Sequence, residues 1–188
     1  MREIMTELYD QRIMSNLARP EYVERMVARL LGDDWVHKGA NWSGWDLENS
    51  DGVRVEVKQS AARQVWTDRP SLGGRPTKGK FDIAPREGYY SDNGKKYVKA
   101  PGRHADLYIF AWHPVVDESV ADQRVPSQWK FFVLPRSRLP GRQKSVSLGR
   151  LEQWTHAVDA RSLRQMVAKE VSSSVPLPER RHRERAGE

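Results

Sequence analysis

Asp46, Glu56 and Lys58 are the side chains whose types and spacing suit chemistry, and all three fall within Trp45–Ser60. The second half of that stretch alternates. Val53, Val55 and Val57 point one way and Arg54, Glu56 and Lys58 the other, the period of a strand with one buried face. In the first half Trp45 and Leu47 flank Asp46, and Asn-Ser-Asp-Gly supplies turn chemistry between the halves. A loop of Ser50 to Gly52, with Gly52 left-handed, pairs Asn49 with Val53 and sets Asp46 across from Glu56. Cβ atoms so paired lie about 5 Å apart, and Lys58 follows on the same face about 6 to 7 Å along. Two facing carboxylates repel unless a proton or a cation sits between them. A hard oxygen-ligand pair of this kind suits Mg²⁺, and the neighbouring ammonium can steady an anionic oxygen or polarise a water. Arg-x-Glu-x-Lys is also what an ordinary solvated strand face looks like; the upstream Asp46 at hairpin register is what separates the two readings.

The elements that must position these groups are legible in part. Residues 6 to 17 suit a short helix, with Thr6 as cap and Leu8, Ile13 and Leu17 apolar. A stronger helix begins at Pro20, carries Val23, Met26, Val27, Leu30 and Leu31 at three- and four-residue steps, and stops at Gly32. Glu24 lies at the edge of its apolar stripe, where an ordinary boundary acid would also sit. Trp35 to Lys38 reads as a short strand. From Ser60 to Arg103 no period is sustained, apart from a short strand at Phe81-Asp82-Ile83, so the stretch is expected to be a functional flap or to hold structure that periodicity does not reveal. Ala105 to Trp112 and Lys130 to Leu134 read as strands covered on both faces. Ser145 to Leu148 suits an edge strand, and Ser162 can cap a last helix with Leu163, Met166, Val167 and Val171 on one face. The expected layout is α/β, a mixed central β-sheet flanked by helices, in one domain over residues 1–171. A basic tail, 172–188, broken by Pro176 and Pro178, is expected to be disordered.

Composition narrows the partners. The chain has 188 residues, enough for one core, with 32 basic against 25 acidic side chains for a net charge of +7. The absence of cysteine excludes a disulfide scaffold, a thiolate zinc site and a cysteine nucleophile. No apolar run reaches membrane-spanning length and the first residues lack a signal-peptide pattern, so a soluble protein of the cytoplasm with no membrane partner is expected. The unperiodic stretch is basic, with Arg63, Lys78, Lys80, Arg86, Lys95, Lys96 and Arg103 among its cations and Trp66, Tyr89, Tyr90 and Tyr97 interleaved. Cations that neutralise phosphates beside aromatics that stack on bases suit a nucleic acid. The five histidines show no ligand spacing, and His104, next to a buried strand, is the one expected near the site.

A helix bearing an acid, an Asp on one strand, Glu-x-Lys on the next and buried strands after it together resemble the PD-(D/E)xK nuclease superfamily, the restriction-endonuclease-like fold. The likeness spans residues 16 to 135. Glu24 with Met26, Val27 and Leu30 is similar to the family's helix motif, Asp46 in Gly-Trp-Asp-Leu to its core Asp, and Glu56-Val57-Lys58 with Gln59 to its catalytic strand; the Pro that often precedes the Asp is missing. The resemblance implies Mg²⁺-dependent DNA hydrolysis, with Mn²⁺ as a substitute ion. Asp46, Glu56 and the Val57 carbonyl would be ligands, and Glu24 an outer or second-ion ligand. Lys58 would orient the attacking water, and Gln59 would contact water or DNA. Cutting both strands commonly takes two sites, which implies a homodimer. Rival expectations are a non-catalytic binding protein on the same fold and an RNA-binding domain in which the triplet is accidental.

Overall fold

The computed structural model describes residues 6, 9–39, 43–67, 75–91 and 94–174. A five-stranded mixed sheet organises them, built from β1 (Trp35–His37), β2 (Leu47–Asn49), β3 (Arg54–Ala61), β7 (Leu107–His113) and β8 (Lys130–Pro135), in the order β1-β2-β3-β7-β8. β3 and β7 run parallel and the other neighbours antiparallel. A parallel pair cannot be closed by a tight turn and needs a long crossover. That requirement accounts for the stretch between Ser60 and Arg103. It carries β4 (Lys80–Asp82) and a two-stranded arm of β5 (Arg86–Ser91) and β6 (Lys96–Gly102), with a register shift between Arg86 and Gly88. The arm's strands pair only with each other, and their side chains are mostly exposed or half-buried. One-sided alternation is therefore weak there, and the arm left no period to read.

The core lies on both faces of the sheet, sorted by the period of two. Val55 and Val57 on β3, Leu107, Ile109 and Ala111 on β7, and Phe131 and Val133 on β8 face one side. They pack with Val23, Met26, Val27 and Leu31 of α1 (Ala18–Leu31) and with Leu163 and Val167 of α3 (Leu163–Ser174). The alternate residues Tyr108, Phe110, Trp112, Phe132 and Leu134 face the other. They meet Phe81 of β4, Val146 of β9 (Ser145–Ser147), which pairs with β4, and Leu151 of α2 (Leu148–Trp154). Every residue of β7 is buried, as its nearly unbroken apolar run requires. Burying each of Leu107, Ile109 and Phe110 contributes about 1.5–3 kcal/mol.

Several expectations shift. The helix over residues 6–17 does not run: a turn closes from Asp10 N to Thr6 O, and the chain then leaves helical geometry. Met14 is buried while Leu17 is 93% exposed, and Leu8 lies outside the described residues. α1 starts at Ala18, with Ser15 Oγ accepting from Ala18 N, so Pro20 is its third residue. That position costs nothing, because the first turn's N–H groups lack helical partners anyway. α2 has no counterpart among the sequence expectations. Its seven residues are too few to show a period; Ser147 Oγ caps it by accepting from Arg150 N. α3 continues to Ser174, past the expected boundary at 171, and residues 175–188 of the tail lie outside the described residues. No described helix is long and apolar enough to cross a membrane.

Candidate active site

The hairpin register places the site. Leu47 pairs with Val55 and Glu48 with Arg54, as the turn chemistry implies, but the paired register stops there: Asp46 N bonds Val55 O, so Asp46 does not stand directly across from Glu56. Gly52 takes φ 77° at the tip, a conformation that needs no Cβ. β2 begins one residue after Asp46, whose backbone is clamped on both sides: Asp46 N donates to Val55 O at 2.9 Å, and Lys38 N donates to Asp46 O at 2.7 Å. Its carboxylate then takes over as β3's partner, with Oδ2 accepting from Val57 N at 2.7 Å. Beyond this point the strand's edge opens into a pocket of about 260 Å³ lined by Pro20, Glu24, Asp46, Val57, Lys58, Gln59 and Asp82.

Two carboxylates converge here from different elements. α1 brings Glu24 over the strand edge, where Oε2 lies 2.7 Å from Nε2 of His37 on β1. Gly39 sits between them. A Cβ at Gly39 would stand 2.8 Å from Glu24 Oε2, 3.2 Å from Asp46 Oδ1 and 3.3 Å from His37 Nε2. The missing side chain therefore leaves a small cradle faced by one oxygen of each acid. Glu56 instead pairs with Lys58 Nζ. Among the described residues no three His, Asp or Glu side chains converge as a metal-binding group.

The electrostatics follow from crowding like charges away from water. Burial, then Glu56 and Glu24, drive the Asp46 carboxyl well above the usual carboxylate range. Burial and Glu56 push Glu24 up to about 7. Burial keeps the imidazole of His37, in contact with Glu24, below its ordinary value. Burial also disfavours the charged form of Lys58, but Glu56 and Asp46 outweigh it and raise its pKa, so Lys58 remains an ammonium. Removing protons from this cluster calls for a cation in their place. The donor set fits a hard divalent ion, since it offers carboxylate oxygens and a cradle that a methyl group would fill.

Sequence reasoning misses four residues here. His37 shows no ligand spacing, although the strand expected at Trp35–Lys38 carries it beside Asp46. Asp82 on β4 adds a carboxylate at the pocket's rim, accepting from Ala84 N and Arg86. Gly39 and Arg19 give no signal of type or spacing. His104 lines no part of the pocket; its ring packs on Tyr89 at 4.7 Å.

The expected nucleic-acid contacts divide. Lys78, Lys80, Lys95 and Lys96 are exposed, and Arg86 is exposed and paired with Asp82. Arg63 is buried, donating to Val116 O and Glu118. Arg103 clasps the Ile83, Pro140 and Gln143 carbonyls. The last two are taken up within the fold, and burial of a cation with protein acceptors leaves it few donors for a phosphate. No family model matches this chain, and no curated protein is similar to it at the level that marks a relative.

Proposed function

We propose that this chain is a Mg²⁺-dependent DNA endonuclease of the PD-(D/E)xK type, hydrolysing phosphodiester bonds, with Mn²⁺ able to substitute. The observation that carries the reading is the approach of Asp46 and Glu24 to one cradle at the strand edge, with Lys58 and its partner Glu56 beside them. Asp46, Glu24, Glu56 and the Val57 carbonyl would hold the ion. When bound, it neutralises charge on the phosphate and lowers the pKa of an adjacent water.

Lys58 acts as a cation. Its raised pKa keeps it protonated at neutral pH and so unable to accept a proton, and an ammonium has three donors, of which Glu56 uses one. The others can orient the attacking water and stabilise charge growing on the scissile phosphate. Glu56 in turn aims the ammonium. The exposed lysines of β4 and the arm supply sequence-independent attraction to the DNA backbone. A second copy of the chain would serve the second strand, and the cytoplasm is the setting this activity fits.

The test is incubation of the purified chain with supercoiled, linear, nicked and branched DNA in Mg²⁺, Mn²⁺ or EDTA. Cleavage in Mg²⁺ that EDTA stops is expected. No cleavage of any substrate in either metal would leave the rival reading, a non-catalytic DNA- or protein-binding member of the fold. That rival draws on the Glu56–Lys58 pair, which already satisfies two of the site's charges.

A further inference from the structure

Arg19, on the first turn of α1, is 3% exposed and has an unusual set of partners. Its Nε donates to Gln59 Oε1 at 2.6 Å, Nη1 to Gln64 Oε1 at 2.6 Å, and Nη2 to Asn16 Oδ1 at 2.9 Å. All three acceptors are neutral amides, and no carboxylate pairs with this guanidinium among the described residues. Burial without a counter-charge lowers its pKa to about 10.

A guanidinium only donates, so each amide must turn its oxygen inward. For Gln64 the other end is also used, since Nε2 donates to Ala61 O at 2.8 Å. Gln59 differs. Its Nε2 bonds no acceptor among the described residues, and the side chain lines the pocket with Glu24, Asp46 and Lys58. Of the described side chains lining that pocket, Lys58 and Gln59 are the ones that can donate a hydrogen bond while the acids are ionised. A site walled by Glu24, Asp46 and Asp82 otherwise repels a phosphate.

We infer that Arg19 is a positioning residue that fixes the polarity of the Gln59 amide, so that Nε2 faces the pocket and donates to an anionic oxygen of the bound phosphodiester. The inference rests on the nuclease reading for the identity of the ligand and assigns the phosphate a second donor beside Lys58. A purely structural Gln59, present only to satisfy Arg19, would need its oxygen and nothing else.

The test uses the full chain, ¹⁵N-labelled, with a short DNA duplex and Ca²⁺ in place of Mg²⁺ so that binding is read apart from cleavage. In the wild type the Gln59 side-chain NH₂ resonances are expected to shift as duplex is added. Arg19→Met is expected to lose that shift, and Arg19→Lys to recover part of it. Gln59→Glu keeps the oxygen that Arg19 needs while removing the donor, and Gln59→Met removes the donor without adding charge. Both are expected to stay folded and to lose on the order of 10²-fold in kcat, with Gln59→Glu melting no lower than the wild type. Gln59 resonances that stay still while duplex binds, or a Gln59→Glu enzyme that cleaves like the wild type, would overturn the inference. Should the wild type cut nothing, the nuclease reading falls, while the resonance shift still decides whether Gln59 donates to DNA. Should Arg19→Met fail to fold, the two Gln59 variants decide it.

Discussion

Two buried polar clusters sit on the same framework and differ in whether their groups are satisfied. Around Gln123, which is fully buried, every demand is met. Its Oε1 accepts from Met14 N at 2.9 Å, its Nε2 donates to Arg63 O at 3.0 Å, its backbone N donates to Arg12 O at 2.7 Å, and its carbonyl accepts from Trp129 Nε1 at 2.9 Å. Around Asp46 the acids instead oppose one another: Glu56 and Glu24 both disfavour the ionised form of Asp46, and Glu56 disfavours that of Glu24. The first arrangement ties the N-terminal segment to the connection between β7 and β8. The second holds tension that a cation would relieve, which is the difference between a structural polar network and a site.

The sharpest way to break that contrast is at Lys58. Lys58→Ala should lower DNA cleavage by about 10³-fold or more, while circular dichroism and DNA binding stay close to wild type. Activity that survives the change removes Lys58 from the mechanism. At the satisfied cluster the opposite pattern is expected. Gln123→Leu removes the buried acceptor of Met14 N and the donor to Arg63 O, and should cost about 2–4 kcal/mol in denaturant unfolding. Cleavage per folded molecule should be unchanged, and a Gln123→Leu protein as stable as the wild type would show that the network contributes nothing.

The pH dependence separates the clusters further. Asp46 and Glu24 have folded-state pKa values above those of an unfolded chain. Metal-free protein therefore keeps protons that the unfolded chain releases, and this contribution is complete at acid pH and lost as pH rises through about 7. Thermal unfolding in EDTA should show stability falling by on the order of 2 kcal/mol between about pH 5 and 7.5. Asp46→Asn should flatten much of that slope, whereas Gln123→Leu should leave it as it is. An Asp46→Asn slope equal to wild type would mean that the acids do not oppose one another. The smallest effect belongs to the arm. Replacing Lys95 and Lys96 with Ala should weaken DNA binding several-fold at moderate salt and reduce the slope of log K against log salt by about 1 for each phosphate no longer neutralised. An unchanged slope would place the DNA elsewhere.

Much of the frame is legible in the sequence. The valine alternation and the Asn-Ser-Asp-Gly turn determine the hairpin register as far as Leu47 and Val55, and bring Asp46 to the end of that ladder. The apolar run at 107–112 announces a central strand because burial on both faces leaves no room for polar residues. What escapes depends on partners distant in sequence. Arg19 meets Gln59 across 40 residues, and Gly39 matters only because α1 and β2 deliver oxygens to the same point. The arm escapes because strands exposed on both sides have no reason to alternate. Charge alone assigns Arg63 and Arg103 to phosphate, and charge does not reveal whether a guanidinium is turned inward to carbonyls.

The most direct test of the carboxylate cluster as a cation site is calorimetric titration of Mg²⁺ into wild type and Asp46→Ala at pH 7, in two buffers of different ionisation enthalpy. Saturable binding with release of protons is predicted for the wild type, because Glu24, pushed up to about 7, is partly protonated at that pH and the ion displaces its proton. Asp46→Ala should lose both. Equal and negligible heats from the two proteins would contradict the account.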